Sequence, residues 1–140
     1  EEISNQDIKR ILKLIAKQEN RDIEKSIENI IDLKDISLCK DFYDKLHNHY
    51  IRKESIFFTM LNKYGNFEPS KVMTKVDKDI LEELKNIIFD NSDKIFEKLK
   101  DLKNKIYDMI FKEENILIPL IIANLSKEDF EEIKEKYKIG

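Results

Sequence analysis

The sequence predicts an all-α fold, an up-down-up-down bundle of four helices followed by a short fifth helix. Ile, Leu, Lys and Glu dominate the chain, 39% of the 140 residues are charged, and only 2 glycines and 2 prolines interrupt it. This composition is typical of helical bundles. Apolar residues recur at steps of three and four along four long segments with short connections, and such helices pack most simply as antiparallel neighbours.

Apolar stripes predict the first two helices. The first helix should begin at a capping residue and continue to about Leu33. Its candidate capping residues are Ser4, Asn5 and Asp7, and its inward positions are Ile8, Leu12, Ile15, Ile23, Ile27 and Ile30. After a turn at 35–37, a second helix is predicted over 38–64, with Gly65 placed to end it. The inward positions of the second helix are Phe42, Leu46, Tyr50, Phe57 and Leu61.

The third and fourth helices follow a predicted loop at 66–69. Pro69 is suited to the start of the third helix, and a turn at 90–92 precedes the fourth. The inward positions of the third helix are Val72, Val76, Ile80, Leu84 and Ile87. Those of the fourth are Ile95, Leu99, Leu102, Ile106, Met109, Ile110, Ile116, Leu117, Leu120 and Ile121. Pro119 lacks an amide and crowds the carbonyl of Asn115, which predicts a kink there.

A capping box predicts the start of the last helix. Its residues are Ser126, Lys127, Glu128 and Asp129, followed by the apolar residues Phe130, Ile133 and Tyr137. This helix is expected to lie across one end of the bundle. We therefore predict a bundle over residues 1–125 and a short C-terminal helix over 126–140 that packs on it.

Charge and cysteine content narrow the possible partners. The 26 basic and 29 acidic residues alternate along every segment. The chain therefore lacks the basic stripe that a phosphate backbone requires, and no nucleic-acid partner is expected. No apolar run approaches the ~20 residues of a membrane span, and no basic amphipathic face indicates a membrane surface. Cys39 has no second cysteine to pair with, which fits a cytoplasmic location and a packing role.

Two similar stretches sixty positions apart hold the candidate chemistry. They read Glu-Ser-Ile-Phe-Phe-Thr over residues 54–59 and Glu-Asn-Ile-Leu-Ile-Pro over residues 114–119. The offset pairs His49 with Met109 and Lys53 with Glu113, so each half keeps a different member of a His-plus-acid pair. Residues four apart share one helix face, and bundles build metal sites from His and Glu on facing helices. The inward candidates are His49, Glu54 and Glu113, with Asp77 or Asp79.

The motifs around these residues resemble a known family. They are His49-Tyr-Ile-Arg-Lys-Glu54, Phe57-Phe58, Lys63-Tyr-Gly65, Pro69-Ser-Lys-Val-Met73 and Lys112-Glu-Glu-Asn-Ile-Leu-Ile-Pro119, together with Glu19-Asn-Arg21. This set is similar to the bacterial hemerythrin-like, HHE cation-binding domains, in particular the branch joined to PAS sensor modules. The resemblance implies a bundle with a non-haem di-iron centre that binds or senses dioxygen, nitric oxide or redox state. It also implies that His49 and Glu113 are metal ligands.

The candidate site departs from the pattern of that branch. Residues 11–14 read Ile-Leu-Lys-Leu where the branch has His-Pro-x-His, so apolar groups, Ile11 and Leu14, are expected to fill the place of two imidazoles. Thr74 replaces an expected Trp, and Thr59 replaces an expected Pro. Iron or zinc with so few ligands binds weakly, so the cofactor is expected to be absent or weakly bound. We predict that Lys53 and Glu113, facing each other across the bundle, form a buried or half-buried ion pair where metal charge would have been.

Several interpretations of the histidines and of the function stay open. His47 points to a different side of the helix from His49 and is expected to be solvated. His49 is either a metal ligand, even a lone haem ligand, or a core imidazole bonded to a neighbouring acid or tyrosine. The function is then a sensory or regulatory module with an impaired or lost non-haem iron site, a di-iron sensing domain for dioxygen, nitric oxide or redox state, or a metal-free interaction module. An attached or separate signalling domain is the expected partner of a monomer or homodimer. The sequence shows no nucleophile, phosphate loop or paired acid and base with a substrate cleft, so we do not expect an enzyme.

Overall fold

Helices account for the architecture throughout the described residues, 5–65 and 67–136 of this computed structural model, and no strand occurs among them. The helices are α1 (Asn5–Leu33), α2 (Cys39–Arg52), α3 (Thr59–Lys63), α4 (Phe67–Ile88), α5 (Ile95–Lys112), α6 (Ile118–Asn124) and α7 (Lys127–Lys136). A 3-10 turn at Ile36–Leu38 leads into α2. Continuous π-helical turns, Lys53–Phe58 and Glu113–Leu117, join α2 to α3 and α5 to α6. The predicted all-α fold is confirmed.

The long helices form a ring of four. Helix α1 packs on α2 and α5, and α4 packs on the same two helices. Each helix therefore contacts its neighbour in sequence, and the first closes the ring against the last, as in an up-down-up-down bundle. Among the described residues, no helix is long and apolar enough to cross a membrane.

One continuous core fills the ring, and most of its residues come from the predicted stripes. All five predicted inward residues of the second helix are buried, and so are Ile80, Leu84 and Ile87 of α4. Two predicted positions are wrong: Val72 is 56% exposed and Ile116 is 52% exposed. In α4, Met73 lies on the inward face in place of Val72. In the fourth stripe, the π turn adds a residue to one turn and rotates Ile116 outward.

Cys39 lies within this core. Its side chain is fully buried. Burial, aided by the carboxylate of Asp35, raises the pKa of its thiol to about 11. The thiol therefore stays protonated at neutral pH and serves as a small packing group.

The helix ends agree with the predicted signals in most places. Helix α1 ends at Leu33, as predicted. Helix α4 begins at Phe67, two residues before the predicted start at Pro69, which occupies the first turn where a missing amide is tolerated. A π turn ends two residues before Pro119, and in it the Ile118 N–H donates to the Glu113 carbonyl. A π turn also occurs at 53–58, which contains no proline, so the kink expected at Pro119 stays a prediction. Predictions for Ser4, Asn66 and Tyr137 lie outside the described residues, and those for the side chains of Asn5 and Ile8 lie outside the described side chains.

A buried carboxylate anchors α7 to the bundle. The predicted capping box is confirmed: Asp129 accepts from the Ser126 N–H at 3.0 Å, and the Asp129 N–H donates to Ser126 Oγ at 3.3 Å. The same carboxylate accepts from Lys63 Nζ at 2.8 Å and from the hydroxyl of Tyr64. Phe130 and Ile133 are buried, and α7 packs on α1. Helix α7 thus lies against α1 and the end of α3.

Gly65 offers a direct test of the helix stop. Its φ is +80°, in the left-handed region, and a Cβ there would meet no atom within 4 Å. Gly65→Ala should therefore lower the free energy of unfolding by roughly 1 kcal/mol, through backbone strain alone and without a steric clash. Gly65→Asn should cost less, because Asn tolerates this conformation. Urea unfolding measures both, and an alanine variant as stable as the wild type would contradict the strain.

Candidate functional site

Each π turn begins at a charged residue that is buried in the core. Lys53, at the start of the first turn, has a fully buried side chain, and the side chain of Glu113, at the start of the second, is 5% exposed. These are the two positions that the sixty-residue offset pairs. A π turn shifts the helical phase of the residues around it and is frequent at functional sites. The two halves of the bundle thus have a π turn at equivalent positions.

The ammonium of Lys53 lies between two carboxylates. Its Nζ is 2.7 Å from Asp77 Oδ2 and 3.5 Å from Glu113 Oε2. Neither contact has hydrogen-bond geometry, so both are charge contacts. Nζ also lies 4.6 Å from the centre of the Tyr50 ring, a cation–π distance. Lys53 thus neutralises acids from two other helical segments.

The two acids respond differently to this environment. Burial raises the pKa of Asp77 to about 6, although the charge of Lys53 lowers it. Burial also raises the pKa of Glu113, but the charge of Lys53 and a hydrogen bond from His49 outweigh burial and bring it below its usual value. Glu113 is therefore held as a carboxylate at neutral pH.

Both nitrogens of the His49 ring contact carboxylates. Nδ1 is 2.8 Å from Glu19 Oε1, and Nε2 is 2.7 Å from Glu113 Oε1. Ionised carboxylates only accept hydrogen bonds, so both nitrogens donate and the ring is a cation. Burial lowers the pKa of His49, but the hydrogen bonds to Glu113 and Glu19 dominate and raise it to about 9.

Charges around this buried cluster balance. Arg52 Nη2 donates to Glu19 Oε1 at 2.8 Å, at the partly exposed edge. The cluster then holds three cations and three carboxylates, namely Lys53, His49 and Arg52 with Asp77, Glu113 and Glu19. Buried charges are tolerated only when they are paired in this way.

Some predicted candidates lie outside the cluster. The structure brings His49, Lys53, Glu113 and Asp77 together, whereas Glu54 and Asp79 are exposed and cannot contribute. Glu54 is five residues from His49, about 140° around the helix, which turns it away. His47 is exposed and stacks on Tyr43.

The expectation that Ile11 and Leu14 of the first helix occupy the place of two imidazoles is wrong. Leu14 is 59% exposed and does not fill the place of an imidazole. Ile15 and Ala16 border the cluster instead, beside His49 and Glu113. Ile11 is half-buried and does not line the space beside His49, so neither of the two expected residues fills that place.

The site residues predicted from the sequence did not include two members of the cluster, Glu19 and Arg52, and the burial of Asn20, which follows Glu19 in the chain, was not predicted either. Asn20 is fully buried, and its amide atoms have no hydrogen-bond partner among the described residues. It lies four residues after the buried Ala16 and three before the buried Ile23, at a stripe position. A polar residue on an apolar stripe was the available signal.

Comparison with known proteins identifies the family. The family model described as the hemerythrin HHE cation-binding domain matches residues 4–121. The chain belongs to this family. Searches of curated proteins and of solved structures found no match to the chain. The matched range covers α1 to α5 and reaches into α6, so α7 lies beyond the hemerythrin domain match.

Hemerythrin domains generally bind iron, and the buried cluster does not fit that metal. Among residues 5–65 and 67–136, no group of three or more His, Cys, Asp or Glu side chains could hold a metal ion. Both His49 nitrogens already donate to carboxylates, and the Lys53 ammonium faces the acids that a metal would need. The space beside His49 measures about 10 Å³, which is no more than one water requires.

Proposed function

We propose that this hemerythrin-like domain is a sensory or regulatory module that has lost its non-haem iron site. The observation that supports this proposal is the position of Lys53, whose Nζ contacts Asp77 at 2.7 Å and Glu113 at 3.5 Å. A fixed ammonium there supplies the positive charge that a cation would otherwise bring to the carboxylates. The bundle is then complete without a metal.

Iron binding at this place would require several unfavourable changes together. A metal ligand must be deprotonated, so His49 would lose a proton that two carboxylates stabilise. Lys53 would have to leave the core or lose its charge, because two cations cannot share the same acids without repulsion. Each change lowers the apparent affinity for iron, and no other imidazole is available, since His47 is exposed.

A metal-free bundle of this kind acts through its surface. We infer a role in transmitting a signal to an attached or separate signalling domain, as a monomer or homodimer in the cytoplasm, without nucleic acid or membrane as partner. The nearly balanced charge of the chain, with 26 basic and 29 acidic residues, supports a protein partner over a polyanion.

Metal content tests the proposal. The purified domain is loaded anaerobically with ferrous iron, desalted and measured by elemental analysis, beside His49→Ala as a variant that lacks the only buried imidazole. We expect background iron in both proteins, with unchanged helical circular dichroism in the wild type. About two irons per chain in the wild type, lost in His49→Ala, would instead establish a di-iron sensing domain.

A further inference from the structure

A groove separate from the buried cluster lies between α1 and the segment formed by the second π turn and α6. Its volume is about 280 Å³. Lys13, Ala16, Lys17 and Arg21 line it from α1, and Glu114, Asn115, Ile118 and Pro119 line it from the other side. This volume lies just below the range of about 300 to 1,000 Å³ for ligand pockets, which suits a small molecule.

The α1 wall of the groove is basic. Lys13, Lys17 and Arg21 follow one another at steps of four residues and share a face of the helix. The guanidinium of Arg21 forms ion pairs with the carboxylates of Glu24, at 2.5 Å, and Glu114, at 2.8 Å. Glu114, the acid that lines the groove, is therefore already paired with a cation. Within the parts of the chain that the structure describes, Lys13 and Lys17 form no ion pair. Two uncommitted ammonium groups thus border the groove of a chain whose net charge is −3.

The floor of the groove is apolar. Ala16 and Ile118 are 7% and 3% exposed, and the ring of Pro119 lies beside them. An apolar floor under a cationic rim is complementary to a molecule with an apolar part and one anionic group.

We propose that this groove binds a small carboxylate with an apolar tail. The carboxylate lies between the ammonium groups of Lys13 and Lys17, and the tail covers Ala16 and Ile118. These two floor residues also line the small space beside His49 and Glu113, so an occupant contacts the outer wall of the buried cluster. The inference goes beyond the proposed function, because the site is separate and its occupancy does not depend on the loss of iron.

Ligand titration followed by ¹H–¹⁵N NMR tests the proposal. The probes are hexanoate, the neutral hexanamide and inorganic phosphate. Hexanoate should give saturable shifts at Ala16, Lys17 and Ile118, with a Kd of about 1 mM, and hexanamide should bind roughly tenfold more weakly. Phosphate should leave Ile118 unshifted, because it has no apolar part. The imidazole signals of His49 should also shift with hexanoate.

Charge variants supply the control. Lys13→Gln with Lys17→Gln should weaken hexanoate binding about tenfold, because both cationic partners are lost. Lys25→Gln is the matched control, since Lys25 is exposed on the same helix and does not line the groove. Unsaturable shifts, equal binding of hexanamide, or unchanged affinity in the double variant would each overturn the proposal. These results are independent of the test of metal content, so each proposal can fail without the other.

Discussion

Replacing Lys53 with methionine is expected to destabilise the bundle by about 3–5 kcal/mol. Methionine keeps most of the apolar volume, but it leaves the carboxylates of Asp77 and Glu113 without the ammonium that contacts them at 2.7 and 3.5 Å. An unpaired buried charge is among the few changes that cost this much. Urea unfolding at pH 7, followed by circular dichroism, measures the change in the free energy of unfolding.

Two further variants separate charge burial from other effects of that substitution. Lys105→Met breaks the exposed pair with Glu83, whose 2.8 Å length is close to the 2.7 Å between Lys53 and Asp77, and should lower the free energy of unfolding by less than about 1 kcal/mol. Lys53→Met combined with Asp77→Asn removes one of the stranded charges and should recover part of the loss. A Lys53→Met protein as stable as Lys105→Met would show that Lys53 does not compensate the buried acids.

The free energy of unfolding is expected to fall by up to about 3 kcal/mol as the pH rises from 6.5 to 9. The cause is His49, whose pKa is raised from 6.5 to about 9 in the folded state. Below pH 6.5 both the folded and the unfolded chain carry this proton, and the stabilisation is fully present. Between the two values only the folded chain keeps it, so stability decreases with pH until the folded pKa is passed. Urea unfolding at a series of pH values measures the slope.

The two histidines provide a matched comparison for this slope. His49→Gln keeps a polar group in place but cannot titrate, so its stability should be nearly independent of pH in this window. His47→Gln should retain the wild-type slope, because His47 is exposed. The same slope in His49→Gln as in the wild type would assign the pH dependence to another group.

Local patterns were enough to predict most of the helical scaffold. The apolar stripes located the core residues of α2, and the capping box and Gly65 located a helix start and a helix stop. These features depend on neighbours within a few residues in sequence, which a single chain displays directly. The sixty-residue offset also drew attention to Lys53 and Glu113, because it compares equivalent positions of two similar halves.

The π turns could not be predicted, and they changed which side chains face the core. A π turn contains one more residue than an α-helical turn, and the spacing of apolar residues at steps of three and four does not reveal it. Ile116 was therefore predicted to face the core, although it is 52% exposed. In α1 the apolar stripe placed Leu12 correctly, but Leu14, which was expected to fill the place of an imidazole, is exposed, and Ala16 faces inward instead.

The sequence by itself determined the helices, their order and the presence of buried charge in two equivalent positions. Only the tertiary structure decided how that charge is paired. Glu19, His49, Asp77 and Glu113 come from four different helical segments, and their contacts depend on how those segments pack and rotate. Coulomb energy and hydrogen bonding vary over distances of an ångström, whereas hydrophobic periodicity fixes only the face of a helix. For that reason the fold is evident in the chain, and the closed, lysine-centred cluster is evident only once the helices are packed.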